Sequence, residues 1–147
     1  MTNFDIIGVF KTYCDANGIA FLSGSKWYQN YEASRKRYDS GTLVLGVDFN
    51  ASPVYSKANK LFQIQYTGAI MLGRKFETTG TISSIDETFY QKHVNRLLEL
   101  MQGLDVIVRT VACANELIIG NVSTTLDLNA FDTSIDFVAW QLTLTQG

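Results

Sequence analysis

The sequence predicts an α+β domain: a single, mostly antiparallel sheet packed against two helices, with a protruding hairpin or loop arm. Three observations predict it. Two segments, near residues 3–17 and 84–102, repeat apolar residues at helical spacing. Several others alternate apolar and polar residues or form short apolar runs, as strands do. One stretch, residues 24–41, "GSKWYQNYEASRKRYDSG", follows neither period. At 147 residues, with 46% hydrophobic composition, residues 1–147 suffice for one domain with a real core.

The first segment, "NFDIIGVFKTYCDANG", reads as an amphipathic helix. Asn3 is placed to cap it, and Asp5 suits the positive N-terminal end. Ile6, Ile7, Phe10 and Cys14 form its apolar stripe, and Asn17-Gly18 supplies the stop. "GIAFLSG" follows as a short strand, and the arm begins after it. "SGTLVLGVDFNASP" gives a strand with Leu43, Leu45, Val47 and Phe49 on one face and Val44, Gly46, Asp48 and Asn50 on the other. The sole proline, Pro53, ends this strand or marks a sheet edge. In "KLFQIQYTGAIML", Phe62, Ile64 and Tyr66 alternate with Gln63, Gln65 and Thr67, and Gly68 suggests a bulge or bend.

"SSIDETFYQKHVNRLLELMQG" has the strongest helix signal. Ser84 and Glu87 match a capping box, and Asp86 adds charge to the first turn. Tyr90, Val94, Leu97 and Met101 make the expected core stripe, with Phe89 and Leu98 beside it. Gly103 is expected to end the helix. "LDVIVRTVA" and "NELIIGNVSTTLDL" then read as strands, and "SIDFVAWQLTLT" as the last. In that last strand Ile135 and Phe137 share one face, while Val138, Trp140, Leu142 and Leu144 share the other. The phase change predicts a bulge or a strand covered on both sides.

The chain carries 18% charged residues, below the usual quarter or so. Net charge is −2, so the whole molecule is no general polyanion binder. The charge is uneven: beyond residue 102 Arg109 stands against Asp105, Glu116, Asp127, Asp132 and Asp136. A basic region and an acidic one on opposite flanks attract copies head to tail, although solvated acidic loops explain the acidic third equally well. Cys14 and Cys113 lie among apolar neighbours and are expected to be two buried free thiols, as in a reducing compartment. The start of the chain has no basic leader, and no apolar run reaches the length of a membrane span, so a soluble, non-secreted protein without membrane contact is expected.

Signals for chemistry are sparse. His93 is the single histidine and lies on the second helix, without the ligand spacing of a zinc site. A Cys14–His93 nucleophilic pair requires the two to meet in a pocket, and the apolar phase of Cys14 points to the core instead. The glycines of "GTLVLG" and "GAIMLGRK" match no phosphate loop. "TLDLNAFDTSID" lacks the graded spacing and closing glutamate of a calcium loop. No catalytic, metal or cofactor residues are therefore assigned, and no enzyme is expected.

The arm holds Lys26, Arg35, Lys36 and Arg37 with Trp27, Tyr28, Tyr31 and Tyr38. Such rings can stack on bases while cations meet phosphates. Trp, Tyr and Arg are also the residues enriched at protein interface hot spots. A plain solvated loop is a third reading. The interface reading ranks first, because one basic triplet adds little phosphate affinity and the acidic third repels a polyanion.

In length and element order, with its long early excursion and its closing strand "DTSIDFVAWQLTLT", the chain resembles the small neck and tail-terminator proteins of tailed bacteriophages. That resemblance lies in pattern, over most of the chain, without a diagnostic motif. It implies a structural virion protein, made in the host cytoplasm and located at the neck or tail. It implies a homo-oligomeric ring, commonly sixfold, joined to tail-tube and neck or connector proteins, with a lumen that passing DNA can touch. Within such a ring, Arg35, Lys36 and Arg37 of one subunit are expected to approach Asp127, Asp132 and Asp136 of the next, with Trp27, Tyr28 and Tyr31 as apolar anchors. The alternatives are a non-catalytic binding module for a small ligand or single-stranded nucleic acid, and an enzyme using Cys14 or His93.

Overall fold

A computed structural model describes residues 5–25, 38, 41–55, 61–75, 87–130 and 135–146. Within these, residues 61–62, 87–94, 126–130 and 135–136 are described by their backbone. The chain forms α1 (Ile6–Asn17), β1 (Ala20–Ser23), β2 (Leu43–Tyr55), β3 (Leu61–Lys75), α2 (Glu87–Ala114), β4 (Leu117–Ala130) and β5 (Ile135–Gln146). The five strands make one sheet in the order β1-β2-β3-β5-β4. Only β1 and β2 pair in parallel; the other three pairings are antiparallel. The α+β class, with one mostly antiparallel sheet and two helices, is thus as expected.

Helix α1 is capped by Asp5, whose Oδ1 accepts from the Gly8 N–H at 2.9 Å. Asn3, the expected cap, lies outside the described residues. Gly18 ends the helix at φ 66°, and the Ile19 N–H donates to the Cys14 carbonyl at 3.0 Å. Ile6, Phe10 and Cys14 are buried, and the Phe10 ring stacks on Phe49 of β2 with centroids 6.0 Å apart.

The second helix corrects the sequence reading. Gly103 does not end it, and "LDVIVRTVA" is not a strand: α2 continues to Ala114. Leu97, Leu100, Leu104, Ile107, Val108 and Val111 are all buried, at steps of three and four that only a helix brings to one side. Gly103 serves contact instead, since a Cβ there would sit 3.1 Å from Leu72 Cδ2 of β3. The buried stripe is also rotated from the expected one: Leu100 replaces Leu98, which is 52% exposed, and Met101 is half-buried. The Ser84 cap lies outside the described residues.

Both helices lie on one face of the sheet. There they cover Leu45, Val47, Tyr66, Ile70, Leu72, Val138, Trp140, Leu142 and Leu144, the main core. The β3–β5 register runs unbroken from Gln65↔Thr145 to Lys75↔Ile135. The phase change in β5 is therefore a strand buried on both sides, not a bulge: Val138 faces the main core and Phe137 a second cluster. Gly68 is not a bulge either. It pairs in register with Phe49, and a Cβ there would run into the Asp48 carbonyl oxygen. Pro53 lies within β2, beyond the end of β1, where one side of the strand is an edge.

Candidate functional site

The face of the sheet away from the helices has two parts. At one end Leu22, Val44, Met71 and Phe137 form a small buried cluster, with Ala20, Tyr38 and Ala139 packed against it. Along the rest of that face the register sets side by side Asn50 and Thr67, Ser52 and Gln65, Thr67 and Thr143, Gln65 and Thr145, and Ser123 and Gln141. These residues are uncharged, and Asn50, Ser52, Thr67, Ser123 and Gln141 are exposed.

The arm is tied to the sheet at both ends. The Gly24 N–H donates to the Val47 carbonyl at 3.1 Å. At the other end Tyr38 lies against the second cluster, and the Gly41 N–H donates to the Lys75 carbonyl at 2.8 Å. A connection between parallel neighbours must cross the sheet on one side. Tyr38 puts its returning end on the face opposite the helices. Trp27, Tyr28, Tyr31, Arg35, Lys36 and Arg37 lie outside the described residues, as does Asp132.

The register separates the two remaining acidic candidates. Asp127 stands opposite Phe137, and Asp136 opposite Arg74. Residues 136 and 137 are neighbours on β5, so these two pairings occupy opposite faces of the sheet. The Arg74 Nε is buried and finds no hydrogen-bond partner among the described residues. The position of Asp136 thus already has a cation across the strand within its own subunit.

The candidates for chemistry separate as well. Cys14 is fully buried, and burial, with Asp15 a smaller contribution, pushes its thiol up to about 12. Such a thiol is a poor nucleophile. Cys113 is a free thiol too but is exposed in the last turn of α2, which corrects the expectation of two buried thiols. Of His93 only the helical backbone is described. Burial, with Asp5 secondary, also raises Tyr66, which belongs to the main core. Among the described residues no three His, Cys, Asp or Glu lie together as metal ligands. No described helix is long and apolar enough to cross a membrane.

Comparison with protein-family models, with curated proteins and with solved structures returns no match. The alternation of Gln and Thr in β3 and β5 signals a polar sheet face, but the register that sets those positions side by side is a long-range property.

Proposed function

We propose that this chain is a structural subunit of a homo-oligomeric ring, at the neck or tail end of a phage-like particle. The observation that supports the reading best is the sheet's second face. It is rich in uncharged polar residues, with few charges such as Asp48 and Lys75, is largely uncovered by described residues, and carries the returning end of an aromatic and basic segment against its apolar end. Interface cores are depleted in charge and enriched in aromatic residues and arginine. Among Asn50, Ser52, Gln65, Thr67, Gln141, Thr143 and Thr145 the charge on this face is the acidic Asp48, with Lys75 at its apolar end, which favours a protein neighbour over a nucleic-acid strand.

In the ring, Arg35, Lys36 and Arg37 meet acidic residues of the next subunit, and Trp27, Tyr28 and Tyr31 anchor the contact. Asp127 and Asp132 are the preferred partners, because the register sets Asp136 opposite Arg74 of its own subunit. The test is reversal of all three basic residues to Glu, read by light-scattering mass and by thermal unfolding. Lower mass with an unchanged midpoint supports the arrangement. Unchanged mass overturns it.

A further inference from the structure

Among the described residues the sheet has two edges without a full strand neighbour. β1 pairs with β2 only from Val44 to Val47, so β2 from Asp48 to Tyr55 has no strand neighbour on that side among the described residues. At the far end, β4 pairs with β5 alone. The polar groups of β2 can be assigned a direction. The Val47 carbonyl accepts from Gly24, on the β1 side. Backbone groups alternate along a strand, so Phe49, Ala51 and Pro53 turn theirs the same way. Pro53, which has no N–H, fits that outward position. Phe49 and Ala51 are left with donors and acceptors aimed off the sheet.

Natural edges are usually guarded by charge, above all by lysine. Here each edge carries one aspartate near an end, Asp48 on β2 and Asp127 on β4, and no lysine. Phe49 to Tyr55 contains no charged residue, and neither does Leu117 to Leu126. The large hydrophobic residues exposed among the described ones are Tyr55, Leu98, Val106, Ile118 and Val122. Three of these five lie on the two edge strands, Tyr55 on β2 and Ile118 and Val122 on β4. Pro53 and the irregularity between Gly120 and Ser123 interrupt the edges without charging them.

Strand direction makes the two edges complementary. β2 is antiparallel to β3, β3 to β5, and β5 to β4. β2 and β4 therefore run in opposite directions. A second copy placed alongside in the same orientation brings its β2 edge antiparallel to the β4 edge of the first. We propose that copies of this chain join head to tail by strand addition, the edge Asp48–Tyr55 of one subunit pairing with β4 of the next. A β4–β4 pairing about a twofold axis would leave the β2 edge bare and its apolar Tyr55 in water. The proposal rests on the ring reading and says how that ring is held.

The experiment compares the full-length wild type with Ala51→Pro, which removes an outward N–H not used by β3, and with an Ile118→Lys/Val122→Lys double variant. Circular dichroism and thermal unfolding check the fold. Mass is measured across concentration, and amide exchange is followed at Phe49 and Ala51. The expected result is an assembly larger than a dimer in which these amides exchange about tenfold more slowly than in the monomer. Either variant should raise the concentration for half-assembly by about tenfold or more. A wild type that assembles with both amides still fast, or that stops at a dimer, overturns strand addition between β2 and β4. A closed ring with protected edges supports both readings, whereas an open filament with protected edges supports the pairing and overturns the ring. A strict monomer up to millimolar concentration overturns both.

Discussion

The two faces of the sheet come from the same five strands and obey different rules. On the helix side, Leu45, Val47, Ile70, Leu72, Val138, Leu142 and Leu144 are closed over by α1 and α2. On the other side the apolar cluster is four residues wide, and the rest is mostly Asn, Ser, Thr and Gln, with Asp48 and Lys75 among them. The first face is built to exclude water from one chain. The second presents mostly uncharged polar side chains, so a neighbour covering it would have few charges to pair. Stability belongs to the first face and, in this account, assembly to the second.

Substitutions can sharpen that contrast. The largest effect is expected at Leu104, fully buried beneath α2. Leu104→Ala should cost about 2–5 kcal/mol in chemical denaturation, through lost burial and the cavity left behind. Together with Ile107→Ala it also tests the helix, because a strand through residues 104–112 would place Leu104 and Ile107 on opposite sides, whereas both are buried. Next is Gly68→Ala. Its new Cβ meets backbone rather than a yielding side chain, and a loss of about 1–3 kcal/mol is expected. Gly103→Ala is the informative counterpart. There the neighbour is the tip of Leu72, and the helix propensity gained offsets the crowding, so the midpoint should move little.

Smaller effects follow. Asp5→Ala removes the α1 cap and should cost about 1 kcal/mol. Thr67→Ala, on the open face, should stay within about 0.5 kcal/mol in the monomer. A loss there comparable to Leu104→Ala would erase the distinction between the faces.

The thiols offer a test by pH and labelling. A native-state thiol reagent, read by mass spectrometry, should modify Cys113 and spare Cys14 until the chain unfolds. The Cys14 thiol is raised from 9.0 to about 12 by burial. Its contribution to stability is therefore complete below pH 9 and lost as pH rises from 9 towards 12, because the unfolded chain gives up that proton first. Cys14→Ala should flatten this part of the stability profile.

Much of this architecture was legible in local pattern. The Ile6–Phe10–Cys14 stripe, the Gly18 stop and the alternation of β3 each rest on neighbours within one turn or one strand. The change of phase at Phe137 and Val138 left a bulge or cover on both sides open, and the unbroken register selects the second. The error at Gly103 arose where two local signals competed. A glycine followed by the β-branched run Val106, Ile107 and Val108 resembles a stop and a strand, while the spacing of Leu97, Leu100, Leu104 and Val111 already continued the helix. Gly103 instead lets the helix pass close to Leu72 of β3, a contact no local rule contains. The candidate site was less legible for the same reason. That Asp127 and Asp136 fall on opposite faces depends on pairing across β3, β5 and β4, with irregularities at Gly120/Ser123 and Asp127/Ala130. That Tyr38 returns to the sheet is likewise a contact between distant parts of the chain.

The central claim is that the uncovered side of this sheet serves assembly with further copies. Light-scattering mass of the purified wild type, followed from micromolar to millimolar concentration, tests it most directly. The account predicts a discrete mass several times the 16.4 kDa of the chain, reached at a defined concentration and imaged as a closed ring. A mass that stays at 16.4 kDa throughout would contradict it.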